Sequence, residues 1–153
     1  MLMPARANTM ARDFKAFEKR LLGQGFGEIL RCQLEHVEDG YCRVRLPYRG
    51  ELSRGDDLIH GGVLAALIDK AGTAAAWSFE DIAEGARGAT VAMQVNFLKG
   101  AVSDLVAQAK VVRRGSSITV IDVEVLDEQG DLVAKGLVTY KLANTPQKTS
   151  GRR

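Results

Sequence analysis

At 153 residues, 46% of them apolar and 26% charged, the chain has the length and composition of one globular domain with a substantial core. A formal net charge of +2 argues against the concentrated basic face of a nucleic-acid binder. The start of the chain lacks the continuous apolar run of a signal peptide, and the longest apolar segment is broken by His60, Asp69 and Lys70, so the expectation is a cytoplasmic protein without a membrane span.

Residues 1–8 and the polar tail 143–153 have nothing to bury and read as disordered ends of a single domain over 9–142. With Thr9 as N-cap, Phe14, Phe17, Leu21 and Leu22 recur at helical spacing until Gly23 ends the run. Two strands, 29–37 and 41–46, flank Asp39-Gly40, which reads as a two-residue hairpin turn. In that register Val37 faces Cys42, and Cys32 lies roughly 16 Å away along the strand, too far for a disulfide. Cys32 and Cys42 therefore read as buried free thiols, which suit a reducing compartment.

Residues 48–59, rich in Gly, Ser, Arg and Asp, form a loop that leads into a long helix over 61–77. After a second loop at 80–88 come four strands, 90–98, 104–112, 118–126 and 132–142. In the first, Val91, Met93, Val95 and Phe97 alternate with Thr90, Ala92, Gln94 and Asn96, and residues 127–130 supply the turn between the last two. Helices and strands segregated in this way define an α+β domain, an antiparallel sheet packed on a helix. That helix is apolar on nearly every side, so the sheet should curl round it, with a second subunit covering the rest.

The central stretch LIHGGVLAALIDKAGTAAAW raises the functional question. His60-Gly61-Gly62 stand at the helix start, where backbone N–H groups lack intrahelical partners and the helix dipole is positive, conditions suited to polarising a carbonyl during acyl transfer. The same glycines also suit close packing of the helix on a strand. Asp69 is a carboxylate in an apolar run, the kind of group that burial turns into a general base, whereas Lys70 beside it reads as a solvated charge. Asp69 follows Gly61 by eight residues, about 12 Å along the axis, so it cannot serve the N-terminus of its own helix. A shared site would need an antiparallel, symmetry-related helix from a second chain. With His36 the only other histidine, no metal-ligand cluster has the right spacing, and the nucleophile-elbow, phosphate-loop and dinucleotide motifs are missing too. The expectation is chemistry without a metal or redox cofactor.

The run IHGGVLAALIDKA, followed some way on by ATVAMQVNFLKGA and then by VVRRGSSITVIDVEVLDEQGDLVAKGLVTYKL, resembles the hotdog-fold acyl-CoA thioesterases. The resemblance is to the PaaI-like group, related to phenylacetate-pathway and 4-hydroxybenzoyl-CoA enzymes, and extends over roughly residues 27–142. It implies a curled antiparallel sheet around a central helix, a homodimer that commonly pairs into a dimer of dimers, and active sites between subunits. It further implies that the Gly61 N–H binds the thioester oxygen while Asp69 of the facing subunit acts as general base or nucleophile. By the same resemblance Thr90 helps orient the attacking water and His60 fixes the loop.

Relatives often carry Asn six residues before the motif His, a place taken here by Arg54, which cannot accept a hydrogen bond. Arg54, Gly62, Lys99, Arg113, Arg114, Gly115 and Ser116 are the candidate contacts to substrate and the CoA phosphates. The implied reaction is hydrolysis of an acyl-CoA to free acid and CoA. A non-catalytic acyl-CoA-binding or regulatory protein and an enoyl-CoA hydratase are the other readings of the same fold.

Overall fold

The computed structural model describes residues 13–144, and the chain enters that region at a helix cap. Asp13 accepts the Ala16 N–H at 3.0 Å and opens α1 (Phe14–Leu21). The expected cap at Thr9, the N-terminal segment 1–8 and the tail from 145 onward lie outside the described residues. Within the expected tail, Ala143 ends the last strand, and the Asn144 side chain accepts the Ala83 N–H and donates to the Asp81 carbonyl.

The strand expected from residue 29 starts later. Gly25, at φ 56°, turns the chain into a short helix, α2 (Phe26–Leu30), and Arg31, in the left-handed region, ends it by donating its N–H to the Gly27 carbonyl. The cause is a contact distant from any strand pattern. A Cβ at Gly27 would sit 2.0 Å from the Leu22 carbonyl oxygen, so only glycine lets this turn lie against the end of α1. Leu22 and Leu30 are buried beneath it. Strand β1 then occupies Gln33–Glu38 and pairs with β2 (Tyr41–Leu46) through Asp39-Gly40, with Val37 opposite Cys42 as expected. Cys32 and Cys42 form no disulfide and are both buried, and burial pushes the Cys32 thiol pKa up to about 11.

The loop that follows contains a single 3-10 turn (Gly50–Leu52) and a bridge between Ser53 and Ile59, and it delivers the chain to α3 (Gly61–Ala76). Strands β3 (Arg87–Phe97), β4 (Leu105–Arg114), β5 (Ile118–Leu126) and β6 (Leu132–Ala143) complete a six-stranded antiparallel sheet of order β1-β2-β4-β5-β6-β3. The sheet curls round α3, which touches β2, β3, β4, β5 and β6. This is the hotdog arrangement. Close approach comes from two glycines: a Cβ at Gly136 would lie 2.5 Å from Ile68 Cγ2, and one at Gly72 would lie 3.0 Å from Val138 Cγ2. Leu67 and Ile68 on α3 are fully buried, each contributing about 1.5–3 kcal/mol from removal of apolar surface from water.

Part of the cover expected from a second subunit is supplied within the chain, because α1 packs on α3 and Arg20 stacks over the Trp77 ring at 4.6 Å. Lys70, expected as a solvated charge, is instead half-buried, with its Nζ 3.4 Å from where a Gly27 Cβ would be. Its aliphatic stem lets an ammonium sit at the margin of an apolar helix face. Among the described residues no helix is long and apolar enough to cross a membrane.

Candidate active site

The first half of the site depends on one extra residue in β3. Thr90 pairs with Tyr140 and Ala92 with Thr139, so two steps along β3 match one step along β6 and Val91 is the bulged residue. Strict alternation would place Thr90 with Ala92 on the outer face. The bulge resets the phase, and Thr90 joins Met93, Val95 and Phe97 on the face whose β6 partners Tyr140, Val138, Gly136 and Ala134 are buried. There the Thr90 hydroxyl donates to Asp69 Oδ1 at 2.6 Å, a charge-assisted bond between two half-buried side chains. Asp69 Oδ2 has no hydrogen-bond donor among the described residues and remains free to accept one.

Tyr140 and Trp77 stand next to this pair, and neither carried a signal in the sequence. The Trp77 indole N–H donates to the Tyr140 hydroxyl at 2.8 Å, and burial raises the Tyr140 pKa, with the nearby Asp69 charge acting in the same direction. Register alone identifies Tyr140, since it is the partner of Thr90 across the ladder.

The second half lies at the other end of α3. His60 is its N-cap, and His60 Nδ1 accepts the Gly62 N–H at 2.8 Å, so the neutral ring carries its proton on Nε2. The N–H groups of Val63 and Leu64 turn to the His60 carbonyl. Gly61, the first residue of the helix, is left with an N–H that finds no acceptor among the described residues, at the positive end of a 16-residue helix. A Cβ on Gly61 would lie 3.4 Å from the Phe97 ring, so the end of β3 packs directly against the helix start.

Around Gly61 opens a cavity of about 460 Å³, lined by Leu58, Leu64, Phe97 and Leu98, with Arg54 and Lys99 at its rim. Both cations are already engaged. Arg54 donates to both oxygens of Asp56, at 3.0 and 2.8 Å, which holds the Asp56 carboxyl below the usual carboxylate range. Lys99 donates to Asp127 at 2.7 Å and to Asp131 at 2.6 Å. Arg114, Gly115 and Ser116 line a different cavity of about 350 Å³. Arg114 forks onto Asp81 at 2.8 and 3.2 Å and lies over the Phe79 ring at 4.0 Å. Arg113 is exposed near the end of β4. The residues expected to contact CoA are thus split between two places within one chain, as are Gly61 and Asp69.

The comparisons with known proteins define the class. The family model described as Thioesterase superfamily matches residues 57–134, the span from just before the helix cap into β6. A candidate esterase of Halobacterium salinarum is 37% identical over 105 residues, covering 67% of this chain and 70% of its own length. Two solved structures share the fold: a Haemophilus influenzae thioesterase, with TM-score 0.76, 20% identity and coverage of 86% of this chain and 91% of its own, and the E. coli PaaI protein from the phenylacetic acid degradation operon, with TM-score 0.71, 23% identity and coverage of 81% and 88%. The chain belongs to the Thioesterase superfamily, in its hotdog-fold form, and hydrolysis is the activity that goes with that class.

Proposed function

We propose that this protein is an acyl-CoA thioesterase whose active site forms between two antiparallel β3 strands of a homodimer, itself able to pair into a dimer of dimers. The observation that carries the reading is the placement of two half-sites at opposite ends of one open strand. Thr90 with Asp69 lies near the beginning of β3, and Phe97 with Gly61 at its end. Thr90 and Phe97 are about 23 Å apart at 3.3 Å per residue. A two-fold axis near Met93 and Gln94, midway between Thr90 and Phe97, brings each Asp69 beside the Gly61 of its partner.

In that arrangement the Gly61 N–H and the helix dipole hold the thioester oxygen as it becomes negative. Asp69 Oδ1 is fixed by Thr90, and Oδ2 takes a proton from water as the water oxygen bonds to the carbonyl carbon. Collapse of the tetrahedral intermediate breaks the carbon–sulfur bond, and the leaving thiolate recovers the proton from Asp69. His60 contributes by capping the helix and so orienting the Gly61 N–H. We assign Gly62, as part of that helix start, and the cationic groups Arg54, Lys99, Arg113 and Arg114, with Gly115 and Ser116, to the substrate and the CoA moiety. Buried cysteines at 32 and 42 that form no disulfide support a cytoplasmic setting.

Subunit mixing tests this reading. Asp69→Asn removes the base and should lower thiol release roughly a hundred- to ten-thousand-fold. Gly61→Pro removes the N–H and sets a ring beside Phe97: proline is tolerated at the first helical position, and His60, at φ −63° and ψ 137°, already has the backbone that precedes a proline. Its loss should be roughly a hundred- to a thousand-fold. Exchanging subunits between the two inactive variants should restore about a quarter of wild-type turnover, because half of the dimers are then mixed and each mixed dimer has one intact site. No recovery would overturn the shared site.

A further inference from the structure

The cavity beside Gly61 has walls whose chemistry selects what enters it. Resting on the thioesterase reading above, we propose that Phe97 is a specificity-determining residue, setting how large an uncharged, apolar acyl group can lie against the helix start. The Phe97 ring lies at the helix start itself, 3.4 Å from where a Gly61 Cβ would be, beside the backbone N–H assigned to the thioester oxygen. The acyl carbon next to that carbonyl must therefore pass the ring. Leu58, Ile59, Leu64 and Leu98 line the cavity beside the ring, together with the glycine backbone at 61 and 100 and the cations Arg54 and Lys99. The apolar side chains beside the ring offer no partners to the amide groups of a pantetheine arm, which lose free energy when buried without hydrogen bonds, so the apolar end of the substrate is the part that fits against Phe97.

The charge at the rim points the same way. Arg54 is held by Asp56, and Lys99 by Asp127 and Asp131, so a single acyl carboxylate must displace an existing partner at either cation, whereas the phosphates of CoA bring more charge to that exchange. Phe97 is 57% exposed on an edge strand, and its removal opens space without taking a side chain from the core. Leu58 forms the adjoining wall and is itself constrained, because a Cβ on Gly100 would lie 3.0 Å from its Cδ2.

The test uses full-length protein and a series of straight-chain acyl-CoAs of increasing length, together with one dicarboxylic acyl-CoA. Thiol release and calorimetric binding of the matching non-hydrolysable thioether analogues are measured for wild type, Phe97→Ala, Phe97→Leu and Leu58→Ala. Phe97→Ala should raise the preference for the longest chain over the shortest by about tenfold or more, the scale of discrimination from a few methylene contacts in an apolar pocket. Phe97→Leu should fall between it and wild type, Leu58→Ala should move in the same direction, and the dicarboxylic substrate should remain poor throughout. Profiles that rise or fall in parallel for every acyl length would overturn the assignment, as would strong preference for the dicarboxylic substrate. Wild-type binding with length selectivity but no thiol release would sink the hydrolytic reading and leave Phe97 as the size-selecting wall.

Discussion

The two edges of the sheet are built in opposite ways. Strand β1 is short, six residues, carries Glu35, His36 and Glu38, and is bulged between Leu34 and His36. Its Leu34 N–H is taken by Glu18 of α1 at 2.7 Å, so one of the groups along that edge is satisfied within the chain. Strand β3 is 11 residues long and exposes Val91, Met93 and Phe97. Unpaired, apolar edges are templates for another strand, and proteins normally blunt them with charge, bulges or cover. Both edge strands are bulged, so the difference lies in charge and cover: this molecule charges and partly covers one edge and leaves the other available. The available edge also carries both halves of the candidate site, which ties the proposed assembly and chemistry to the same strand.

The largest effect should come from placing a charge on the open edge. Met93→Lys sets like charges close together across the proposed two-fold, and should convert the protein to monomers by sedimentation, with thiol release falling at least about a hundredfold as the half-sites separate. Glu38→Lys on β1 should leave assembly and turnover unchanged, as expected of a surface substitution within about 0.5 kcal/mol. A Met93→Lys dimer with full activity would break the comparison.

A smaller effect sharpens the role of the bulge. Thr90→Val removes a hydrogen bond to a carboxylate, worth about 1.5–3 kcal/mol, and should lower turnover roughly ten- to a hundredfold while Thr90→Ser retains it. Shifting the hydroxyl by one residue, in Thr90→Val combined with Val91→Thr, should give no recovery, because position 91 is the unpaired residue of the bulge. Recovery would mean that β3 alternates regularly.

The last effect is on stability alone, leaves turnover at neutral pH unchanged, and belongs to the closed side of the molecule, where Cys32 lies just before β1. Its folded-state pKa is raised from 9.0 to about 11 by burial, so the folded protein holds the proton longer than the unfolded chain does. That contribution to stability is complete below pH 9 and is lost as pH rises toward 11, a difference of at most about 3 kcal/mol at 1.36 kcal/mol per pKa unit. Urea unfolding across that range should show a steeper loss for wild type than for Cys32→Ala.

What could be seen in advance divides by range of interaction. The hairpin at Asp39-Gly40, the strand Ile118–Leu126 and the helix start at Gly61 appear where expected, because turn chemistry and local periodicity decide them. The turn Phe26–Leu30 escaped notice because the demand for glycine at 27 comes from the Leu22 carbonyl, which no strand or helix pattern encodes. Strand β3 starts at Arg87, three residues before Thr90, since pairing with Leu142 and Ala143 extends it past the last alternating residue. Tyr140 and Phe97 belong to ordinary strand alternations, and only their neighbours across the ladder or at the helix start give them roles.

The sequence by itself determined that Asp69 and Gly61 stand too far apart on one helix to share a site, because helical rise is constant and the count between them is read directly. It also determined the helix start, since the His-Gly-Gly order leaves backbone donors there. Only the tertiary structure decided which way Thr90 faces and which edge of the sheet stays open. A strand's side chains alternate with period two, so one bulged residue reverses every face before it, and whether an edge is available depends on what packs beside it.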